Sequence, residues 1–355
     1  MTPPPRLGAL TGGHDNNFQL LRLLAALAVV LFHCYALTGR WTDEPLWRLA
    51  HDQNLGALGV EIFFVVSGFL VTQSWLTRRR LDQFVMARVL RVYPALIAAT
   101  LLTIALGAAS SKLPWAGFLA NPQTGDYFWH TALGVDVRDR LPGAFAANPY
   151  PHVVNGSLWT LPVELRLYLA LAAAGVAGLL AHRLSWLAAG AAALAALYAW
   201  PAQAIDLLAG HGAAIVLRLA ALFLLGSLAY AWRDVLPVSL AAGLAALGLM
   251  AWNPGGYPRG ILFAPLLAYV VLVLAYDPRL RLRAFNRVGD YSYGLYVYSF
   301  PLQQTVVERM PGVAPLALFA WALPAALAVA IVSWHALEQP ALGLKSRFDL
   351  RWRTS

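Results

Sequence analysis

Two side chains in the first apolar stretch are of types that could do chemistry together. Phe18–Leu37 reads F-Q-L-L-R-L-L-A-A-L-A-V-V-L-F-H-C-Y-A-L, apolar enough to cross a bilayer, yet it keeps Arg22 and His33. Eleven helical steps separate them, roughly three full turns, so the two share one face ~16.5 Å apart along the axis. Charge facing lipid is expensive, so a stripe of two such groups turns toward a protein interior. Histidine titrates near neutral pH and suits general-base work, while an arginine suits an anion. The same pair also reads as an arginine snorkelling to the headgroups and a hydrogen-bonded core histidine, and this stretch alone does not separate the two.

Four more constellations carry polar chemistry. Glu61, in G-V-E-I-F-F-V-V-S-G-F-L, is an intramembrane carboxylate that needs a cationic or hydrogen-bonding partner; Gly59, Ser67 and Gly68 beside it permit close helix approach or line a site. In R-V-L-R-V-Y-P, Arg88 and Arg91 lie three apart on one face, leading into a span start marked by Tyr93-Pro94. Guanidinium forks at that spacing suit a polyphosphate arriving from the cytoplasm. The neighbouring Arg78, Arg79 and Arg80 read as a plain membrane anchor. In N-G-S-L-W-T-L-P-V-E-L-R-L-Y, Pro162 and Glu164 fit a first helical turn, where the helix dipole favours a carboxylate, and Tyr168 shares a face with Glu164. Last, Tyr293, Tyr296, Ser299 and Gln303 recur every three or four residues along Y-S-Y-G-L-Y-V-Y-S-F-P-L-Q-Q, the spacing of a cavity lining, and Glu338 near the end is expected to pair with an arginine.

The elements that must position these groups are membrane helices. Of 355 residues, 59% are hydrophobic and only 12% charged, with a mean hydropathy of +0.59; a soluble domain carries roughly a quarter charged residues. The expected fold is all-α and integral to the membrane, about ten transmembrane helices in one bundle. The spans fall near 18–38, 56–76, 91–110, 160–181, 184–201, 213–232, 236–252, 259–276, 289–308 and 314–338. Residues 1–17 form an N-terminal tail without the features of a cleavable signal, 18–340 the membrane domain, and 341–355 a basic tail. One set of connections holds Arg6, Arg78, Arg79, Arg80, Arg88, Arg91, Arg183, Arg233, Arg279, Arg281, Arg283, Arg287, Lys345, Arg347, Arg351 and Arg353, and is more than twice as basic as the other. By the positive-inside rule that set and both termini face the cytoplasm. This distribution assigns the net charge of +9 to topology rather than to nucleic acid. Arg22 then lies near the cytoplasmic end of its span and His33 toward the outer side, level with the start of the helix that carries Glu164. Residues 111–158, rich in proline and glycine turns, read as an irregular outer cap. The single Cys34 excludes an internal disulfide.

Taken in order, R-x(10)-H, G-V-E-I-F-F-V-V-S-G-F-L, R-V-L-R-V-Y-P, S-L-W-T-L-P-V-E, Y-S-Y-G-L-Y-V-Y-S-F-P and E-Q-P make the chain resemble the acyltransferase-3 family of bacterial membrane acyltransferases, nearly end to end. The resemblance implies transfer of an acyl group, usually acetyl, from acyl-CoA as co-substrate to a hydroxyl of a surface or exported glycan or lipid-linked saccharide. It places the protein in the bacterial inner membrane, with no tightly bound cofactor and no metal. His33 and Arg22 match the essential pair of the first span, with Glu164 joining them as a catalytic candidate. Arg88, Arg91 and Tyr93, with Arg22, match the donor side. Glu61, Trp159, Tyr168, Tyr296, Ser299 and Gln303 are the acceptor-side candidates. Glu61 stands where aspartate is the commoner residue, and Ser299 where many relatives carry a histidine, so that position supplies no second base. A transporter or flippase of glycans or lipid-linked sugars is the competing reading, since polar groups inside ten spans suit it equally; a non-catalytic glycan sensor is a third.

Overall fold

In the computed structural model the described residues are 3–351, apart from 12, 14, 52, 200–211, 253–257, 283, 284, 286 and 287. Arg283, Arg287 and Arg353 of the basic set, and the end of the fifth expected span at 200–201, lie outside them. The described residues are helical, with isolated bridges but no strand. The principal helices are α1 (Phe18–Leu37), α2 (Leu55–Arg78), α3 (Leu81–Ser110), α4 (Pro122–Leu133), α5 (Thr160–Val176), α6 (Arg183–Ala199), α7 (Ala213–Ala231), α8 (Leu240–Ala251), α9 (Pro258–Tyr276), α10 (Ser292–Arg309), α11 (Pro315–Ser333) and α12 (Gln339–Arg351).

Each of the ten expected segments holds a helix, but they are not ten equal spans. Four helices among the described residues are long and apolar enough to cross a membrane: Phe18–Leu37, Leu55–Arg78, Leu81–Ser110 and Pro315–Lys345. Others are shorter; α8 has 12 residues, about 18 Å, against a hydrocarbon core of about 30 Å. The third differs most from expectation. It begins at Leu81, so Arg88, Arg91 and Tyr93 lie inside it, and Pro94 sits within the helix instead of opening it. A proline's lost hydrogen bond is tolerated in apolar helices where neighbours satisfy the freed groups. At 30 residues α3 is about 45 Å long, more than a bilayer core requires.

The chain divides into two compact units. One comprises Met1–Arg22, Glu61–Phe84 and Arg166–Val288; the other comprises Leu23–Val60, Val85–Leu165 and Gly289–Ser355. The first is built on an aromatic cluster of Phe18, Phe69, Tyr230 and Tyr276, with Phe69 and Tyr230 edge to face at 5.2 Å. In it α2 and α7 meet backbone to backbone. A Cβ on Gly68 would fall 1.9 Å from the Phe223 carbonyl oxygen, and one on Gly226 2.1 Å from that of Val65. Ser227 also donates to the Gly68 carbonyl. The close helix approach read from Gly68 is thus present, and α7 is its partner.

The second unit has two apolar clusters. One joins Cys34 and Leu37 of α1 to Phe300 and Val307 of α10 and Leu318 and Ala322 of α11. The other lies under residues 111–158: Ile104 and Ala108 of α3 pack with Phe118, Tyr127, Leu141, Phe145 and Val154. That stretch is more ordered than an irregular cap. It contains a short helix, Trp115–Leu119, and α4, which begins on an Asn121 side-chain cap with Pro122 at its first position. The Leu133 carbonyl at the end of α4 accepts from Tyr93, 17 residues before the end of α3, so α4 runs back alongside α3.

Candidate functional site

The second unit gathers its polar groups around α10. Twelve of the 18 residues of α10 are buried, which makes it a core helix, not a lipid-facing one. Its polar side chains therefore need partners, and most find them on loop 111–158 and its continuation. Gln304 donates to the carbonyls of Tyr150 and Val153, and Asn148 donates to Gln304. Asn155 donates to the Val297 carbonyl, and the Tyr296 hydroxyl donates to the Ser157 carbonyl and lies 2.7 Å from Thr160 Oγ1. Glu308, at the far end, is bonded to Ser110, which in turn accepts from the Phe145 amide. With no strand among the described residues, these side chains, together with backbone bonds such as Val154 to the Asp139 carbonyl, hold the irregular segment 148–160.

His33 is built into the same frame. Its ring stands edge to face on Phe300 at 5.0 Å. On another side of Phe300 lies Gly156, where a Cβ would come within 2.9 Å of the ring, so the backbone approaches as only glycine allows. Gln303 pins α1: its Nε2 donates to the Val30 carbonyl at 2.8 Å and to Cys34 Sγ at 2.9 Å, the residues three before and one after His33. Val30's carbonyl can only accept, so the amide nitrogen faces α1 and Oε1 points away. Four buried polar atoms here have no hydrogen-bond partner among the described residues: His33 Nδ1, Ser157 Oγ, Ser299 Oγ and Gln303 Oε1. Buried polar groups are nearly always paired, so four orphans in one neighbourhood are a feature of the site.

Glu164 and Trp159 belong to this unit. Glu164 is half-buried on α5, one residue past the first turn, close enough for its charge to act on Tyr296; Trp159 is half-buried just before that helix. Arg88 and Arg91 lie on α3 and differ in surroundings. The Arg91 fork is 2.7 Å from Asp290 and 3.3 Å from Glu338, with its plane over Tyr293 and Trp334. Ser292 donates to Asp290 and Ser333 to Glu338, which closes a network around one guanidinium. Arg91 is thus the arginine expected for Glu338. Arg88 is half-buried one turn earlier. A π-type turn, Trp334–Glu338, separates α11 from α12 and presents Glu338; such turns recur at functional sites.

The remaining candidates belong to the other unit. Arg22 is half-buried on the same unbroken helix as His33. Glu61 is buried, and its carboxylate lies 2.6 Å from Arg218 Nε, whose guanidinium rests over Phe263. Tyr168 packs near Phe223. Sequence reasoning passed over Arg218, although a lone cation in the Ala/Leu-rich span 213–232 was the available signal. It also passed over Asp290, Gly156, Ser157 and Phe300; of these, only Gly156, in an otherwise bulky stretch, marked a close approach.

Comparison with known proteins gives these positions a context. The family model described as an acyltransferase domain matches residues 15–335. A protein of Shigella phage Sf6 named O-acetyl transferase is 27% identical, over 83% of this chain and 87% of its own length. Nodulation protein 10 of Rhizobium leguminosarum bv. viciae is 29% identical, over 96% of this chain and 97% of its own. No solved structure matches the chain.

Proposed function

The chain belongs to the acyltransferase family whose domain its residues 15–335 match, and on that premise we propose that it transfers an acetyl group from cytoplasmic acyl-CoA to a hydroxyl of a surface or exported glycan. His33 is the general base. It takes the proton of the acceptor hydroxyl as that oxygen attacks the thioester carbonyl; the C–S bond breaks, and the proton passes on to the leaving CoA thiolate. The reading rests above all on His33: an imidazole in an apolar helix, braced by Phe300, with Nδ1 buried and no hydrogen-bond partner among the described residues. A buried ring nitrogen ordinarily meets a partner in protein or ordered water, and here a substrate hydroxyl would supply it.

The other roles follow from position. Arg88 holds the CoA phosphates, and the pantetheine arm spans the distance between donor end and base; Arg22, about three turns from His33 on the same helix, marks the donor end of α1. Arg91, shared between two carboxylates, orders α3 against the start of α10 and the end of α11. Tyr93 holds α4 through Leu133 and so shapes the donor side indirectly. Glu164 stabilises the charged imidazole or orients the sugar, and Trp159, Tyr296, Ser299 and Gln303 meet the acceptor. Glu61, with Arg218, positions α2 against α7, and Tyr168 packs beside them. Both termini are cytoplasmic in this scheme, and the membrane is the bacterial inner one.

The test is reconstitution. Purified protein in vesicles, given labelled acetyl-CoA and the producing cell's de-O-acetylated surface polysaccharide, is expected to form alkali-labile acetyl ester on the polysaccharide. Absence of both ester formation and CoA binding by the protein would overturn the proposal.

A further inference from the structure

Three of the orphan atoms near His33 belong to side chains that are essentially fully buried: Ser157 is 1% exposed, and Ser299 and Gln303 are 0%. Ser299, like Thr72, lacks the usual bond of a helical hydroxyl. Thr100, Thr103 and Thr305 each donate to the carbonyl four residues back, the usual refuge of a hydroxyl in an apolar helix. Ser299 makes no such bond, and its Oγ is left without a partner among the described residues. Gln303 is constrained differently. Both amide hydrogens are committed to Val30 and Cys34, so Oε1 is an acceptor only, fixed in direction. Ser157 lies beside Gly156, on the backbone that touches Phe300, and Phe300 in turn touches His33. None of the three is charged.

We propose that Ser157 Oγ, Ser299 Oγ and Gln303 Oε1 form the specificity subsite for the acceptor, reading a second hydroxyl beside the one that is acylated. The inference rests on His33 being the base that receives the first. Two hydroxyls can donate or accept, but Gln303 Oε1 takes only a donor, so the ligand must bring a hydrogen to it. A neutral polyol with adjacent hydroxyls satisfies all three; an acidic group would set its oxygens against Oε1, and an ether or deoxy position would leave it unpaired.

The physics of an orphan hydroxyl separates this role from a structural one. A buried hydroxyl with no protein partner costs the free protein its hydration, so deleting it is neutral or stabilising for the fold. Ser157→Ala and Ser299→Ala are therefore expected to melt at or above the wild-type temperature. In the same vesicle assay each is expected to raise the KM for de-O-acetylated polysaccharide about tenfold, with the KM for acetyl-CoA unchanged. Gln303→Leu is expected to do the same and also to lower kcat, because it frees α1 from Val30 and Cys34. Unchanged polysaccharide KM in both serine variants would overturn the subsite. A lowered melting temperature would show instead that the hydroxyls serve the fold. Failure of the underlying reading looks different: His33→Ala would then keep full transfer whatever the serines do.

Discussion

A guanidinium shared by two carboxylates has little left to offer a phosphate, and Arg91 is such a group. Its spacing from Arg88 suggests a pair with one job, yet its partners Asp290 and Glu338 lie 199 and 247 residues away in sequence. No local pattern could have announced them; in the proposed scheme the donor role falls to Arg88, one turn earlier. The two should separate on mutation. Arg91→Ala strands a carboxylate, Glu338, whose side chain is only 1% exposed, and should cost about 3–5 kcal/mol of stability, read as a lowered melting temperature. Arg88→Ala should raise the KM for acetyl-CoA and leave that for the polysaccharide alone. At His33 the sequence was more informative: a titratable ring on an apolar face was visible, and the structure added its ring contact and its orphan nitrogen. If that ring is the base, the transfer rate should fall as pH drops through the imidazole titration, because only the neutral form accepts a proton. A flat acid limb in the rate profile would argue against it.

Among the elements, small residues decide which helices can meet. Gly68 was legible as a packing residue, but its partner was not, since nothing in α2 names α7. The contact is between backbones, and an added methyl at 1.9 Å from a carbonyl oxygen cannot be absorbed by a side-chain rotation. Gly68→Ala should therefore cost about 1–3 kcal/mol or more, seen as lower yield and melting temperature, while Gly248→Ala, which meets nothing within 4 Å, should be silent. α10 carries the opposite lesson. Its tyrosines and glutamines looked like one polar side of a span, whereas the helix is buried on most of its residues and binds the segment 148–160 through them. Hydropathy cannot tell a helix lined by solvent or substrate from one lined by other protein, because both need polar side chains. Helix α3 shows the limit of boundary signals: Tyr93-Pro94 marks a start by local rules, yet the helix runs through it from Leu81.

On the scale of the whole molecule, composition and ordered motifs gave the class: a helical membrane acyltransferase, which the family match supports along residues 15–335. The number of crossings was less legible. Ten apolar segments each hold a helix, but among the described residues four helices are long and apolar enough to cross a bilayer. The proposed topology rests on the distribution of charge and can be tested directly. A fluorescent protein fused after Ser355 should glow in intact cells, and alkaline phosphatase fused there should be inactive; the reverse pattern would invert the donor and acceptor ends of α1. Inversion would also put Arg22 on the side where acyl-CoA is absent.

The central claim is that His33 moves the proton that makes acyl transfer possible, and one comparison tests it most directly. Wild-type protein and His33→Ala, reconstituted alike, are given labelled acetyl-CoA and de-O-acetylated polysaccharide, with CoA binding measured on the same preparations. The expected result is intact CoA binding and a transfer rate lowered at least about 10²-fold, the typical scale of a lost general base. Transfer by His33→Ala at the wild-type rate would contradict the account.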